Sequence, residues 1–90
     1  MDIRWTLAAS SDLLEIFDTL SEKAPVQAAR IVGEVYDSIG RLERFPEIGR
    51  AGRIDGTREF FVSPFVAVYR VEETAVVLLT VVHSAQLYPR

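Results

Sequence analysis

An α+β fold is predicted for this chain: a short N-terminal strand, an antiparallel helical hairpin, then a three-stranded antiparallel meander. Two observations carry that expectation. Apolar residues recur every three or four positions over residues 9–45, and then alternate or run together in β-branched and aromatic blocks over 57–83. A third observation, that no internal repeat, low-complexity stretch or linker divides the 90 residues, places them in a single domain spanning 1–90.

The elements follow in order. Asp2 to Arg4 form an extended start. Ala9, Leu13, Ile16, Phe17 and Leu20 then line one face of a helix. Thr6 or Ser10 is its expected N-cap, accepting a hydrogen bond from an otherwise unpaired amide, and Asp12 and Glu15 suit its positive dipole end. The helix fades over Ser21 to Ala24. Pro25 fits the first turn of a second helix, where a missing N–H costs nothing, and Ala28, Ile31, Val32, Val35, Ile39, Leu42 and Phe45 continue its apolar stripe until Pro46 stops it. Gly33 and Gly40 each weaken that helix by up to about 1 kcal/mol relative to alanine, so they are expected to permit close approach of a neighbour. Three strands come next, at 57–62, 65–71 and 75–83, separated by Ser63-Pro64 and by the polar run Glu72-Glu73-Thr74.

The last strand is apolar on both sides, with Ala75, Val77, Leu79 and Val81 on one and Val76, Leu78 and Val82 on the other. A strand of that kind needs two covers. The hairpin supplies one. The other is expected to be a second protein, unless the tail Leu87-Tyr88-Pro89 folds back over the open face.

Residues 44–60 concentrate four arginines and three glycines in a chain whose formal net charge is −3. Gly49, Gly52 and Gly56 match neither the spacing nor the strand-to-helix context of a phosphate loop, and read as turn formers, some with positive φ. Arg50 and Arg53 read as solvated charges or as ion-pair donors to the acidic hairpin. Arg58 lies within a strand. A three-residue connection, Ser63 to Phe65, would pair Val62 with Val66 and bring Arg58 and Arg70 onto one face.

The bulk numbers exclude several classes. With no cysteine there is no disulfide framework and no thiolate metal site, and His83, the single histidine, has no second histidine to form a metal site with. A net charge of −3 argues against direct, sequence-specific nucleic-acid binding. The N-terminus lacks a secretory pattern and the longest apolar run, residues 75–82, is too short to cross a bilayer, so no membrane role and a cytoplasmic location are expected. Neither a metal nor any other cofactor is expected.

Trp5 leading into Ala9 and Asp12-Leu13, then LERFPEIGR at 42–50, GTREF at 56–60, VAVYRV at 66–71 and a closing apolar strand ending in His83, together resemble the ParE/RelE superfamily of toxins from type II toxin–antitoxin systems. The resemblance covers nearly the whole chain and lies with the ParE-like branch. It implies a toxin of the plasmid-stabilising kind, neutralised by a ParD-like antitoxin whose flexible C-terminal segment folds as it wraps the toxin. Two activities occur in the superfamily: ParE-like members poison DNA gyrase by protein contact, and RelE-like members cut messenger RNA in the ribosomal decoding site. On the gyrase reading no residue is catalytic, and Arg58, Val66, Val68 and Arg70 form the partner-binding face. On the nuclease reading Arg58, His83 and Tyr88 supply the cation, the base and the acid. RelE-like members typically carry an arginine early in the third strand, where this chain has Val66, and basic residues after the last strand, where it has Ser84-Ala85-Gln86. These departures favour the non-enzymatic reading, with His83 structural or partner-facing. A third reading is an inactive homologue that acts only with its antitoxin on operator DNA. Because such antitoxins are often acidic, complex formation is expected to depend only mildly on salt.

Overall fold

The computed structural model describes residues 1–85. Strand β1 (Asp2–Trp5) leads into helices α1 (Leu7–Ser21) and α2 (Pro25–Gly40), a 3-10 turn follows at Arg41–Glu43, and strands β2 (Arg50–Ala51), β3 (Arg58–Val62), β4 (Phe65–Val71) and β5 (Ala75–His83) complete the described chain. The strands form one sheet in the order β1-β5-β4-β3-β2, with β1 parallel to β5 and the other neighbours antiparallel. The expected strand, helical hairpin and meander are therefore present, on a sheet two strands wider than the meander.

Thr6, not Ser10, caps α1: its Oγ1 accepts from the Ala9 amide at 3.1 Å and donates to the Leu78 carbonyl at 2.6 Å, so one hydroxyl starts the helix and ties it to β5. Asp12 lies beyond the first turn and meets β5 instead of the helix dipole. Its Oδ2 accepts from Thr80 Oγ1 at 2.5 Å and from the Val81 amide at 3.1 Å. Since β1 pairs only with Ala75–Leu78, that carboxylate takes up an amide on the side of β5 that no strand reaches. Pro25 occupies the first turn of α2, as its missing N–H favours. The stripe of α2 buries Ala28, Val35 and Ile39 and continues with Leu42 in the 3-10 turn, but Phe45 is 55% exposed.

Both helices lie on one face of the sheet. Ala9, Val35, Ile39 and Leu42 pack there against Phe60, Phe65, Ala67, Tyr69, Val76, Leu78 and Val81. Gly33 and Gly40 correct one expectation, because a Cβ at either would meet nothing within 4 Å. They do not serve close packing. Gly33→Ala is thus expected to stabilise the fold by about 0.8 kcal/mol through helix propensity alone, a rise of about 5 °C in melting temperature.

The β3–β4 turn corrects another. Its two residues, Ser63-Pro64, pair Val62 with Phe65, and Arg58 stands opposite Tyr69. One residue fewer in the turn inverts the facing, so Arg58 lies on the helix side and Arg70 on the far side. The far face is also less open than its apolar pattern suggests: Val66, Val68, Ala75 and Val77 are all buried. The sequence reading counted only whole elements as covers. Arg4, Arg50, Glu59 and Arg70 stand on that face, and the stems of such side chains occlude small neighbours. The tail Leu87-Tyr88-Pro89 lies outside the described residues.

Candidate functional site

Two regions gather polar chemistry around this scaffold. The first is the arginine- and glycine-rich loop. Tyr69 rises from the middle of β4 and is fully buried, and its hydroxyl accepts from the Gly49 amide at 2.9 Å while donating to the Pro46 carbonyl at 2.7 Å. Burial pushes its pKa above the ordinary tyrosine value, partly offset by the Gly49 hydrogen bond and by the nearby Arg58 charge. Arg58 donates to the Gly49 carbonyl at 2.8 Å and the Glu47 carbonyl at 3.3 Å. Its guanidinium is thus engaged in holding the loop.

On the other face Glu59, buried to 2% exposure, accepts from Arg50 Nη2 at 3.1 Å and from the Arg53 amide at 3.2 Å, with Arg53 Nε 3.7 Å away. The expectation that Arg50 and Arg53 reach the acidic hairpin is corrected here. A strand carboxylate nearer in sequence takes both, and Arg50 also lies 4.5 Å over the Phe61 ring. Strand β2 is the missed element that brings Arg50 opposite Glu59. A two-residue strand carries too little pattern to be read from sequence.

The second region is a groove of about 820 Å³ between α1 and the end of β5. Asp12 and Glu15 stand on its helix side, Ile16, Leu20, Phe65 and Val81 supply apolar surface, and His83 lies at one end. His83 is exposed, packs edge-on to Phe65 with ring centroids 5.7 Å apart, and accepts at Nδ1 from the Ala85 amide at 3.1 Å. Arg58 and His83 are not brought together. They stand opposite Tyr69 and Phe65, four residues apart on β4 and on different flanking strands, which separates their Cα atoms by about 16 Å. Tyr88 lies outside the described residues. Among the described residues no three His, Asp or Glu side chains are grouped to hold a metal ion.

The sequence profile of the ParE toxin of the type II toxin–antitoxin system parDE matches residues 3–88, nearly the full chain. The chain belongs to this ParE toxin family. Among its relatives, the toxin candidate Y4kP of Sinorhizobium fredii is 38% identical over 90 residues, covering 98% of this chain and 93% of that one. The chromosomal ParDE toxin–antitoxin system of P. aeruginosa is similar in structure, with a TM-score of 0.85 at 25% identity over 92% of this chain and 95% of the matched one. The toxin–antitoxin complex RelBE2 of Mycobacterium tuberculosis is also similar, with a TM-score of 0.65 at 28% identity over 91% and 95% of the two chains. The protein is therefore a type II toxin of the ParE/RelE superfamily, and its structural neighbours support an antitoxin as partner.

In this ParE toxin the residues selected from sequence fall into three places. Arg58 braces the loop at one end of the sheet, Arg70 is on the far face with its guanidinium on Glu72 at 2.6 Å, and His83 borders the groove. Val66 and Val68 lie in the middle of the far face, 4% and 2% exposed. Tyr69, the hub of the loop, was missed. The signal for it is faint: a tyrosine in an otherwise aliphatic strand needs a partner for its hydroxyl when buried, and a glycine- and proline-rich loop offers backbone groups.

Proposed function

We propose that this ParE toxin acts on DNA gyrase by protein–protein contact, without catalysing a reaction, and is held inactive in the cytoplasm by a ParD-like antitoxin whose C-terminal segment folds on binding. The position of Arg58 carries this reading. A nuclease of the RelE kind needs a cation, a base and an acid around one phosphate, whereas Arg58 is turned onto the Glu47 and Gly49 carbonyls, about 16 Å from His83 at the level of the backbone. Val66 supports it further, since valine stands where RelE-like members have an arginine. Of the four residues assigned to partner binding, Arg70 is exposed on the far face, where Val66 and Val68 are buried, and Arg58 is half-buried on the helix side.

The test uses the purified chain in two assays, gyrase supercoiling and a translating extract. Loss of supercoiling with intact messenger RNA is expected. Messenger cleavage with gyrase untouched would replace this reading with a RelE-like ribonuclease, and harmless expression without any antitoxin would replace it with an inactive homologue.

A further inference from the structure

One edge of the sheet is bare. Strand β1 stands at the end of the strand order and pairs only with β5, in parallel, its ladder running from the Asp2 amide on the Thr74 carbonyl to the Thr6 amide on the Leu78 carbonyl. Backbone direction alternates along a strand, so Asp2, Arg4 and Thr6 turn their backbone groups to β5 while those of Ile3 and Trp5 point outward. Beyond Leu78 the side of β5 is shielded by Asp12, which occupies the Val81 amide. Among the described residues no hydrogen bond reaches the outer side of Ile3 or Trp5. An open groove of about 600 Å³ runs there instead, lined by all four residues of β1 and by Tyr36, Gly40 and Glu43 of the helical layer. An unprotected edge of this kind is a template for another strand.

The residues of β1 select the strand that fits. Ile3 and Trp5 pack against the core, while Asp2 and Arg4 stand on the far face, both exposed and neither in an ion pair among the described residues. Antiparallel pairing with β1 of a second copy, about a two-fold axis at Ile3, sets each Asp2 against the other copy's Arg4. The same register lets the two Ile3 residues exchange N–H···O bonds. It also carries the exposed Met1 side chain to the opposing Trp5 ring, which stacks on Tyr36 with centroids 5.7 Å apart. No other centre on β1 works. At Asp2 or Arg4 the backbone groups already face β5, and at Trp5 the residue opposite Ile3 would be Leu7, where α1 begins. A strand bearing one sign of charge repels its own copy, but this one carries both signs two residues apart on one face and attracts it. We propose that the chain self-associates through antiparallel β1–β1 pairing centred on Ile3, joining two five-stranded sheets into one. A pairing of four-residue strands falls below the about 1,200 Å² of a stable interface, so the dimer is reversible and set by concentration. This goes beyond the toxin reading, and depends on neither the target nor the antitoxin.

Sedimentation equilibrium of the full chain, loaded from about 5 to about 500 µM, is expected to show a monomer–dimer equilibrium. Over the same range hydrogen exchange should slow at the Ile3 and Trp5 amides, the two that point outward from β1. Arg4→Asp opposes like charges at both ion pairs and should raise the dissociation constant about tenfold, since each exposed pair contributes a factor of about 1.5 to 5. The charge-swapped chain, Asp2→Arg with Arg4→Asp, should return to within about twofold of the parent, because the antiparallel register again opposes unlike charges. Recovery in the swap separates lost pairing from lost folding, and the exchange measurement on the parent needs no variant at all. A chain that stays monomeric at about 500 µM would overturn the assignment. So would a dimer indifferent to Arg4→Asp, a swap that does not restore association, or concentration-dependent protection that spares Ile3 and Trp5. The chain is read alone in these measurements, so their outcome and that of the supercoiling assay are independent.

Discussion

Replacing Gly49 by alanine is expected to lower the melting temperature by about 15 °C. A Cβ at Gly49 would stand 2.7 Å from the Tyr69 hydroxyl, 2.8 Å from the Glu59 backbone oxygen and 2.9 Å from Tyr69 Cε1. None of these atoms can retreat cheaply. The Glu59 carbonyl belongs to β3, and the Tyr69 ring is fully buried and anchored at its hydroxyl by Gly49 itself and by Pro46. Overpacking of this kind typically costs 1–3 kcal/mol, and the involvement of backbone puts this case near the upper end, about 3 kcal/mol. For a domain of this size each kcal/mol moves the midpoint by about 4–8 °C, which gives the stated shift. Thermal unfolding followed by circular dichroism checks it, with Gly33→Ala as a control of opposite sign. A Gly49→Ala protein that melts within about 2 °C of the parent would show that the loop yields and that Gly49 is not held by Tyr69.

This contrast between two glycines shows where sequence reading succeeds and stops. Helix and strand periods are local properties, so the hairpin and the meander were legible from the spacing of Ala9, Leu13, Ile16 and Leu20 and from the β-branched run of β5. Contacts between distant segments were not. Gly49 and Gly33 look alike in sequence, yet one abuts a tyrosine twenty residues away and the other faces open space. Glu59 and Arg50 meet only because β2 forms, and β2 is too short to announce itself. The facing of Arg58 hinged on one residue of turn length, since a strand's side-chain period is two and any odd shift exchanges its faces. The candidate site was legible in its ingredients, the Arg58 and Arg70 guanidinium groups and the His83 imidazole, but not in their separation. The groove, too, was invisible: it arises where β1 ends before β5 does, a relation between two elements more than seventy residues apart.

The second large effect concerns the hydroxyl that Gly49 meets. Tyr69→Phe keeps the ring and its packing and removes only the group bridging the Gly49 amide and the Pro46 carbonyl. Gly49 is buried, so its amide would be left without that partner, and an orphaned buried donor costs about 1–3 kcal/mol. A loss of about 2 kcal/mol is expected at neutral pH, read from urea unfolding. The same measurement repeated up the alkaline range separates this cause from general loosening. Burial raises the folded-state pKa of Tyr69 above its ordinary value of 10.0. Below about pH 10 both states hold the proton and the contribution is constant. Above it the unfolded chain releases the proton first, the native state binds more protons, and stability falls as pH rises toward the folded pKa. The phenylalanine variant has no such proton, so the parent's advantage over it should narrow from about pH 10 upward. An advantage that stays constant or widens across that range would mean that the hydroxyl is not buried in the protonated form, and the loop would need another anchor than the one Tyr69 provides.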